Sequence, residues 1–216
     1  MRDWDGELGA IAALMESIPF PSVNQIESEH SHPWDVLIST IISLRTRDEV
    51  TLAASRRLLD RAPDPQCLLE LGRDTVAKLI YPAGFYSVKA DQMVRLAGIL
   101  IENHAGGVPC VLDELLALPG VGLKTANLVL GVGFGIPAIC VDIHVHRIAN
   151  RRGWIATEKP DASEAALRAI VPQKWWIDLN KLLVQFGQLV CTPQSPKCSE
   201  CPISSNCPRI GVTRQR

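Results

Sequence analysis

Apolar residues recur three and four positions apart in nearly every segment of the chain, and no stretch sustains a strict apolar–polar alternation, so the pattern predicts an all-α protein. The spacing places helices near Glu7–Ser17, Trp34–Leu44, Asp48–Arg61, Pro65–Leu71, Asp74–Ile80, Ser87–His104, Leu112–Leu118, Leu123–Phe134, Asp142–Arg152, Ser163–Ile170 and Lys174–Leu189. Helix breakers fall between these stretches: Pro63 and Pro65, Tyr81-Pro82-Ala83-Gly84, Gly106-Gly107 and Pro119-Gly120. Asp161-x-x-Glu164, just before an apolar run, has the form of a capping box and marks a helix start. Gly135-Ile136-Pro137 marks a domain boundary, with a central run of helices as one lobe and the C-terminal part, joined by the N-terminal helix, as the other. The Trp175-Trp176 pair is expected to pack between lobes.

With 216 residues, 47% hydrophobic and 21% charged, the chain can build one large domain or two lobes, and it is neither disordered nor collagen-like. No apolar run approaches the ~20 residues of a membrane span. The opening MRDWDGELGA lacks the basic and apolar regions of a signal peptide, so a cytoplasmic protein is expected, with no membrane association. The net charge of −1 hides an asymmetry: residues 139–216 hold 11 Lys and Arg against 6 Asp and Glu. A basic C-terminal region suits a polyanionic partner, although a solvated surface has the same balance.

Seven cysteines, an odd number, argue against a disulfide framework. Cys67, Cys110 and Cys140 stand singly among apolar neighbours and are expected to be small buried hydrophobes. The other four form Cys191-x6-Cys198-x2-Cys201-x5-Cys207. Structural zinc sites more often use two short pairs with a longer spacer. The uneven spacing, stiffened by Pro193, Pro196, Pro202 and Pro208, favours a loop around one [4Fe–4S] cubane over zinc. Such a cluster is expected to be structural, since no flavin motif or second cluster accompanies it. Lys197 adjoins it, projecting outward to contact phosphate.

Leu118-Pro119-Gly120-Val121-Gly122-Leu123-Lys124-Thr125-Ala126 joins two short helices through a tight hairpin. Gly120 and Gly122 are expected to accept positive φ and to let a phosphate approach the free N–H groups of the second helix. A nest of this kind grips a DNA backbone without reading its sequence. A plain αα-hairpin with a glycine turn is the alternative. Lys124 lies in the first turn of the second helix, where the macrodipole disfavours a charged amine. A neutral amine can attack an electrophilic sugar carbon, form a Schiff base and permit β-elimination of the 3′ phosphate. Simple phosphate contact is the competing role. Eighteen residues later comes Val141-Asp142-Ile143-His144-Val145-His146-Arg147. A carboxylate there, facing back toward Lys124, would stabilise positive charge building on deoxyribose as a base departs, and would activate the amine. Asp142 also suits a helix N-cap, and the two roles are compatible. His144 and His146 either support this site and contact DNA or are ordinary surface or capping histidines.

Together LPGVGLKTAN, the step to VDIHVHRIANR and the four-cysteine tail resemble the endonuclease III DNA glycosylases of the helix-hairpin-helix superfamily. The segments Ile41–Asp48 and Gly84–Ala90 also look like their counterparts, and the likeness covers nearly the whole chain. The resemblance implies a two-lobed fold: a six-helix barrel over residues 24–136 carrying the hairpin, and an iron–sulfur lobe of residues 1–23 plus 137–216, with the active site in the cleft. It implies a DNA glycosylase/AP lyase acting as a monomer on oxidised pyrimidines or abasic sites in double-stranded DNA. Lys124 would be the Schiff-base nucleophile, Asp142 the catalytic carboxylate, and Cys191, Cys198, Cys201 and Cys207 the cluster ligands. DNA contacts fall to Gly120, Val121, Gly122, Thr125, Arg45, Phe85, His144 and Lys197. The target nucleotide must be flipped out of the stack, and side chains fill the gap. Here Arg45 stands where the family commonly has glutamine, and Phe85 where it commonly has leucine. A monofunctional mismatch glycosylase usually lacks the lysine, and a noncatalytic DNA-binding iron–sulfur protein would need neither Lys124 nor Asp142.

Overall fold

The computed structural model describes residues 2–30 and 32–216, and every regular element among them is helical. The helices are α1 (Trp4–Met15), α2 (Ser22–His30), α3 (Pro33–Ser43), α4 (Asp48–Leu59), α5 (Pro65–Ile80), α6 (Tyr86–His104), α7 (Leu112–Leu116), α8 (Leu123–Leu128), α9 (Ile143–Arg151), α10 (Pro160–Arg168) and α11 (Trp176–Leu189). Backbone contacts divide the chain into two compact units. One is Pro21–Ile136; the other joins the residues up to Phe20 with Pro137–Arg216.

In the unit Pro21–Ile136, α3 is apolar almost all round, and such a helix must be covered on every side. Trp34, Val36, Leu37, Ile38, Ile41 and Ile42 have no solvent contact, and α2, α4, α6 and α8 pack around them. The indole N–H of Trp34 is satisfied by the carbonyl of Ala62 at 3.0 Å. The periodicity overlooks α2 because SVNQIESEH offers only Val23 and Ile26 to the core. Tertiary partners hold it instead: the Ser22 hydroxyl donates to Asp48 at 2.8 Å, and Arg56 of α4 pairs with Glu29. The two helices expected over residues 65–80 are present within α5, broken at Gly72, whose φ of 71° no helix accommodates. The single helix expected over 123–134 keeps α geometry only to Leu128 and widens to a π-turn over Val129–Gly133.

In the other unit α1 packs on α11, α11 on α9, and α10 on α9, around Leu8, Ile11, Val145, Ile148, Leu167, Leu179, Leu183 and Phe186. Polar ties anchor α1: Glu7 accepts from Arg152 at 3.0 Å and from the Trp154 indole at 2.9 Å. Trp175 and Trp176 pack against this same core, the first donating to Asp5 and the second to the Val171 carbonyl, so the pair is placed by contacts inside one unit.

Two further expectations differ from the structure. Asp161 and Glu164 do not form a capping box: α10 starts at Pro160, whose fixed φ suits the first helical position, and Glu164 instead accepts from Arg168 at 2.8 Å. Of the three isolated cysteines only Cys140 is buried. Cys110 is exposed, and Cys67 lies half-buried in the first turn of α5, where Asp64 takes the backbone N–H at 2.7 Å and raises the thiol pKa.

Candidate active site and cluster loop

The hairpin follows from one strained position. Gly120 has a φ of 80°, a left-handed backbone that strongly favours glycine, and a Cβ there would meet the Gln92 side chain of α6 at 2.9 Å. Gly122 differs from the expectation: its backbone is extended and it serves as the N-cap of α8, with open space around it. The Val121 N–H is spent on the Leu118 carbonyl at 3.2 Å, and its side chain is buried. Thr125 is buried as well. No side chain caps α8, so the backbone donors of its first turn, at Leu123, Lys124 and Thr125, are oriented for an anion. Lys124 is the second residue of that turn and half-buried.

In the other unit Asp142 is the N-cap of α9. Its Oδ1 accepts from the N–H groups of His144 at 2.8 Å and Val145 at 2.9 Å. His144 packs on α11, with Nδ1 at 3.2 Å from an Arg147 guanidinium nitrogen, and His146 meets the Ser163 hydroxyl at 2.7 Å. Gly187 is what lets α9 and α11 approach: a Cβ on it would stand 2.6 Å from His144 Nδ1. Further along α9, Arg147 donates to the carbonyls of Gly187 and Cys191 at 2.9 and 2.8 Å. Arg151 donates to the carbonyl of Thr192 at 2.8 Å and lies 3.4 Å from Cys191 Sγ. The helix headed by Asp142 therefore grips the cysteine loop with two arginines one turn apart. The loop folds on its own backbone bonds, Lys197 N–H to Val190 O at 2.9 Å and Cys207 N–H to Ser204 O at 3.2 Å.

Cys191, Cys198, Cys201 and Cys207 line one pocket together with Arg151 and Lys197. Four thiols around a shared pocket suit a multi-iron cluster. Burial pushes the Cys191 and Cys201 thiols up, while Arg151 and Arg147 oppose the shift at Cys191. Thiolates around one pocket would repel one another, and iron held by them would supply the opposing charge. The residues fit a [4Fe–4S] cluster. Lys197 pairs with Glu200 at 3.5 Å on the surface beside the loop.

Arg45 and Phe85 belong to the unit Pro21–Ile136, both exposed and both with left-handed backbones, φ 53° and 57°. The Arg45 guanidinium lies over the Phe85 ring, 5.5 Å from its centroid. Behind them stands a residue the sequence did not single out. Lys89 in the first turn of α6 is 4% exposed, and burial pushes its ammonium down to about 8. The sequence holds no signal for it, since its partners are 43 to 47 residues away. Arg147 and Arg151 were legible in principle, because His144, Arg147 and Arg151 fall on one face of a helix.

The family model described as HhH-GPD superfamily base excision DNA repair protein matches residues 38–173, and that for the iron–sulfur binding domain of endonuclease III matches residues 191–207. The chain belongs to the HhH-GPD superfamily of base excision DNA repair proteins. Within that class it is similar to the endonuclease III of Thermotoga maritima, 43% identical over 196 residues that cover 90% of this chain and 92% of that one. A solved endonuclease III, trapped on DNA as a covalent intermediate, superposes with a TM-score of 0.83 at 29% identity over 97% of both chains. A thermostable thymine-DNA glycosylase superposes with a TM-score of 0.82 at 25% identity over 94% of both. Fold alone therefore does not separate the two activities; the sequence identity favours endonuclease III.

Proposed function

We propose that this protein excises oxidised pyrimidines from duplex DNA and nicks the strand through a Schiff base on Lys124. Membership of the family, with its endonuclease III relatives, makes it a DNA glycosylase/AP lyase of base excision repair. The lesion class and the residue roles are our reading. The observation that carries it is the lysine in the first turn of α8, immediately beyond the Gly120 turn.

In this reading the uncapped first turn of α8 binds a backbone phosphate and so fixes the register of the damaged strand. Arg45 and Phe85 enter the gap left by the flipped nucleotide. The Lys124 amine bonds to C1′ as the glycosidic C–N bond breaks and the base leaves with the bonding electrons. Asp142 accepts the amine proton and stabilises the positive charge developing on the sugar, with Oδ2 as the acting oxygen because Oδ1 caps α9. The aminal so formed opens by breaking its C1′–O4′ bond, O4′ taking up a proton and C1′ becoming an iminium; loss of a 2′ proton then expels the 3′ phosphate, and water releases the lysine. The cysteine loop holds the cluster, which serves structure and presents Lys197 to phosphate. We take the units Pro21–Ile136 and the flanking pair to be the six-helix barrel and iron–sulfur domains, and the protein to work as a monomer on the nucleoid in the cytoplasm. Among the described residues no helix is long and apolar enough to cross a membrane.

Borohydride should trap a covalent complex with duplex DNA carrying an abasic site or an oxidised pyrimidine, and Lys124→Ala should abolish trapping and nicking. Full lyase activity in Lys124→Ala would overturn the assignment. Base release without trapping by the unaltered protein would favour a monofunctional glycosylase.

A further inference from the structure

Lys89 is a costly residue where it stands. It lies in the first turn of α6, whose macrodipole repels a cation, and it is almost wholly removed from water. Three oxygens account for it. Its ammonium donates to the carbonyls of Ile42 at 2.7 Å and Leu44 at 2.6 Å, and to the Thr46 hydroxyl at 3.0 Å. The first two are at the C-terminal end of α3, where carbonyls lack helical partners and the dipole is negative. Lys89 thus caps α3 from a distant segment.

What it caps is the turn that carries Arg45. Thr46 Oγ1, held by Lys89, also accepts the backbone N–H of Gly84 at 3.0 Å. Gly84 sits so tightly that a Cβ on it would be 2.3 Å from the Arg45 carbonyl. The turn 44–46 is therefore locked against the turn 84–85, and the residues at their tips, Arg45 and Phe85, emerge side by side. Neither would hold a left-handed backbone unless its surroundings fixed it. Phe85 is 62% exposed, so the ring is not kept there by core packing.

We propose that Lys89 is a positioning residue for lesion recognition: its buried ammonium clamps the two turns so that the Arg45 guanidinium and the Phe85 ring are presented as one preformed, two-part wedge to the base stack of duplex DNA. The ring offers a stacking face and the guanidinium offers hydrogen-bond donors to the base left unpaired. The proposal rests on the glycosylase reading above, in which Arg45 and Phe85 fill the gap.

The test uses the full-length protein with its cluster, and a duplex carrying one 5,6-dihydrouracil opposite 2-aminopurine, whose fluorescence rises when it loses its stacking neighbours. Lys89→Met keeps the stem but removes the donors. It should lower kcat/KM for excision on the order of 10- to 100-fold and suppress the fluorescence rise. Borohydride trapping on an abasic site in a single strand needs no wedge and should persist in this variant. Lys89→Arg should recover part of the loss. In the background of Arg45→Ala with Phe85→Ala, adding Lys89→Met should cost nothing further. An additive loss there, or a normal fluorescence rise in Lys89→Met, overturns the proposal. If Lys89→Met does not fold, Thr46→Val, which removes the hydroxyl shared by Lys89 and Gly84, is carried through the same comparison with the same criteria. Failure of the unaltered protein to trap abasic DNA would instead sink the glycosylase reading, and so the two failures are distinguishable.

Discussion

Asp142 is asked to do two things with one carboxylate. One oxygen closes the first turn of α9, and in our reading the other faces the sugar. The two tasks separate by substitution, because asparagine caps a helix as well as aspartate but carries no charge. Asp142→Asn should therefore unfold at nearly the same temperature as the unaltered protein, whereas Asp142→Ala should lose about 1 kcal/mol of stability with its cap. Both should lose excision, by on the order of 10²- to 10³-fold as for other preorganised electrostatic groups. Thermal unfolding and single-turnover excision measure the two effects. Unchanged excision in Asp142→Asn would leave the residue a cap and nothing more. The places of Lys124 in the first turn of α8 and of Asp142 at the head of α9 were legible in the sequence, because a glycine turn and a helix start are local signals. Lys89 was not, because a lysine in a helix shows its burial only once α3 is beside it. Val121 and Thr125 show the converse: a motif position suggests DNA contact, yet their side chains turn inward and only the backbone of that turn is offered.

Helices declare themselves when an apolar face recurs at the right spacing, which is why α3, α4, α6 and α11 were visible without coordinates. α2 was hidden because its stability comes from Asp48, Arg56 and the α3 surface rather than from its own pattern. Glycines inside helices are similarly ambiguous in a sequence, since each costs up to about 1 kcal/mol against alanine and only packing says why it is kept. Gly98 in α6 and Gly187 in α11 resolve in opposite ways. A Cβ on Gly98 meets nothing within 4 Å, so Gly98→Ala should stabilise by a few tenths to about 1 kcal/mol. A Cβ on Gly187 would meet His144 and also come within 2.9 Å of the Arg147 guanidinium, which is committed to two carbonyls. Gly187→Ala should cost about 1–3 kcal/mol despite its better helix propensity, by overpacking the α9–α11 seam. Urea unfolding of the two variants decides the matter, and a stabilised Gly187→Ala would mean that His144 and Arg147 move aside freely.

At the scale of the whole molecule, the segment beyond α11 has no helix of its own and must be held by its cross-links. Turns such as Ser204 N–H to Cys201 O at 3.2 Å are weak alone, and much of residues 191–207 is solvent-accessible. Binding of a cluster by the four cysteines should couple to the folding of this segment, because ligand sites that exist only in the folded chain couple metal binding to folding. Arg147 and Arg151 carry that order back into α9, so the helix that positions Asp142 depends on a loop up to 65 residues further along the sequence. Purified protein should therefore be brown with about four irons per chain. Oxidative removal of that iron in the presence of a chelator should raise amide exchange across residues 190–210 and the C-terminal half of α9, while the α3 core of Pro21–Ile136 keeps its protection. Hydrogen exchange read by mass spectrometry follows both regions in one experiment. Residues 190–210 exchanging equally slowly with and without iron would show that the loop holds its shape through Arg147, Arg151 and its own turns, and stoichiometric zinc in place of iron would remove the cluster from the account altogether.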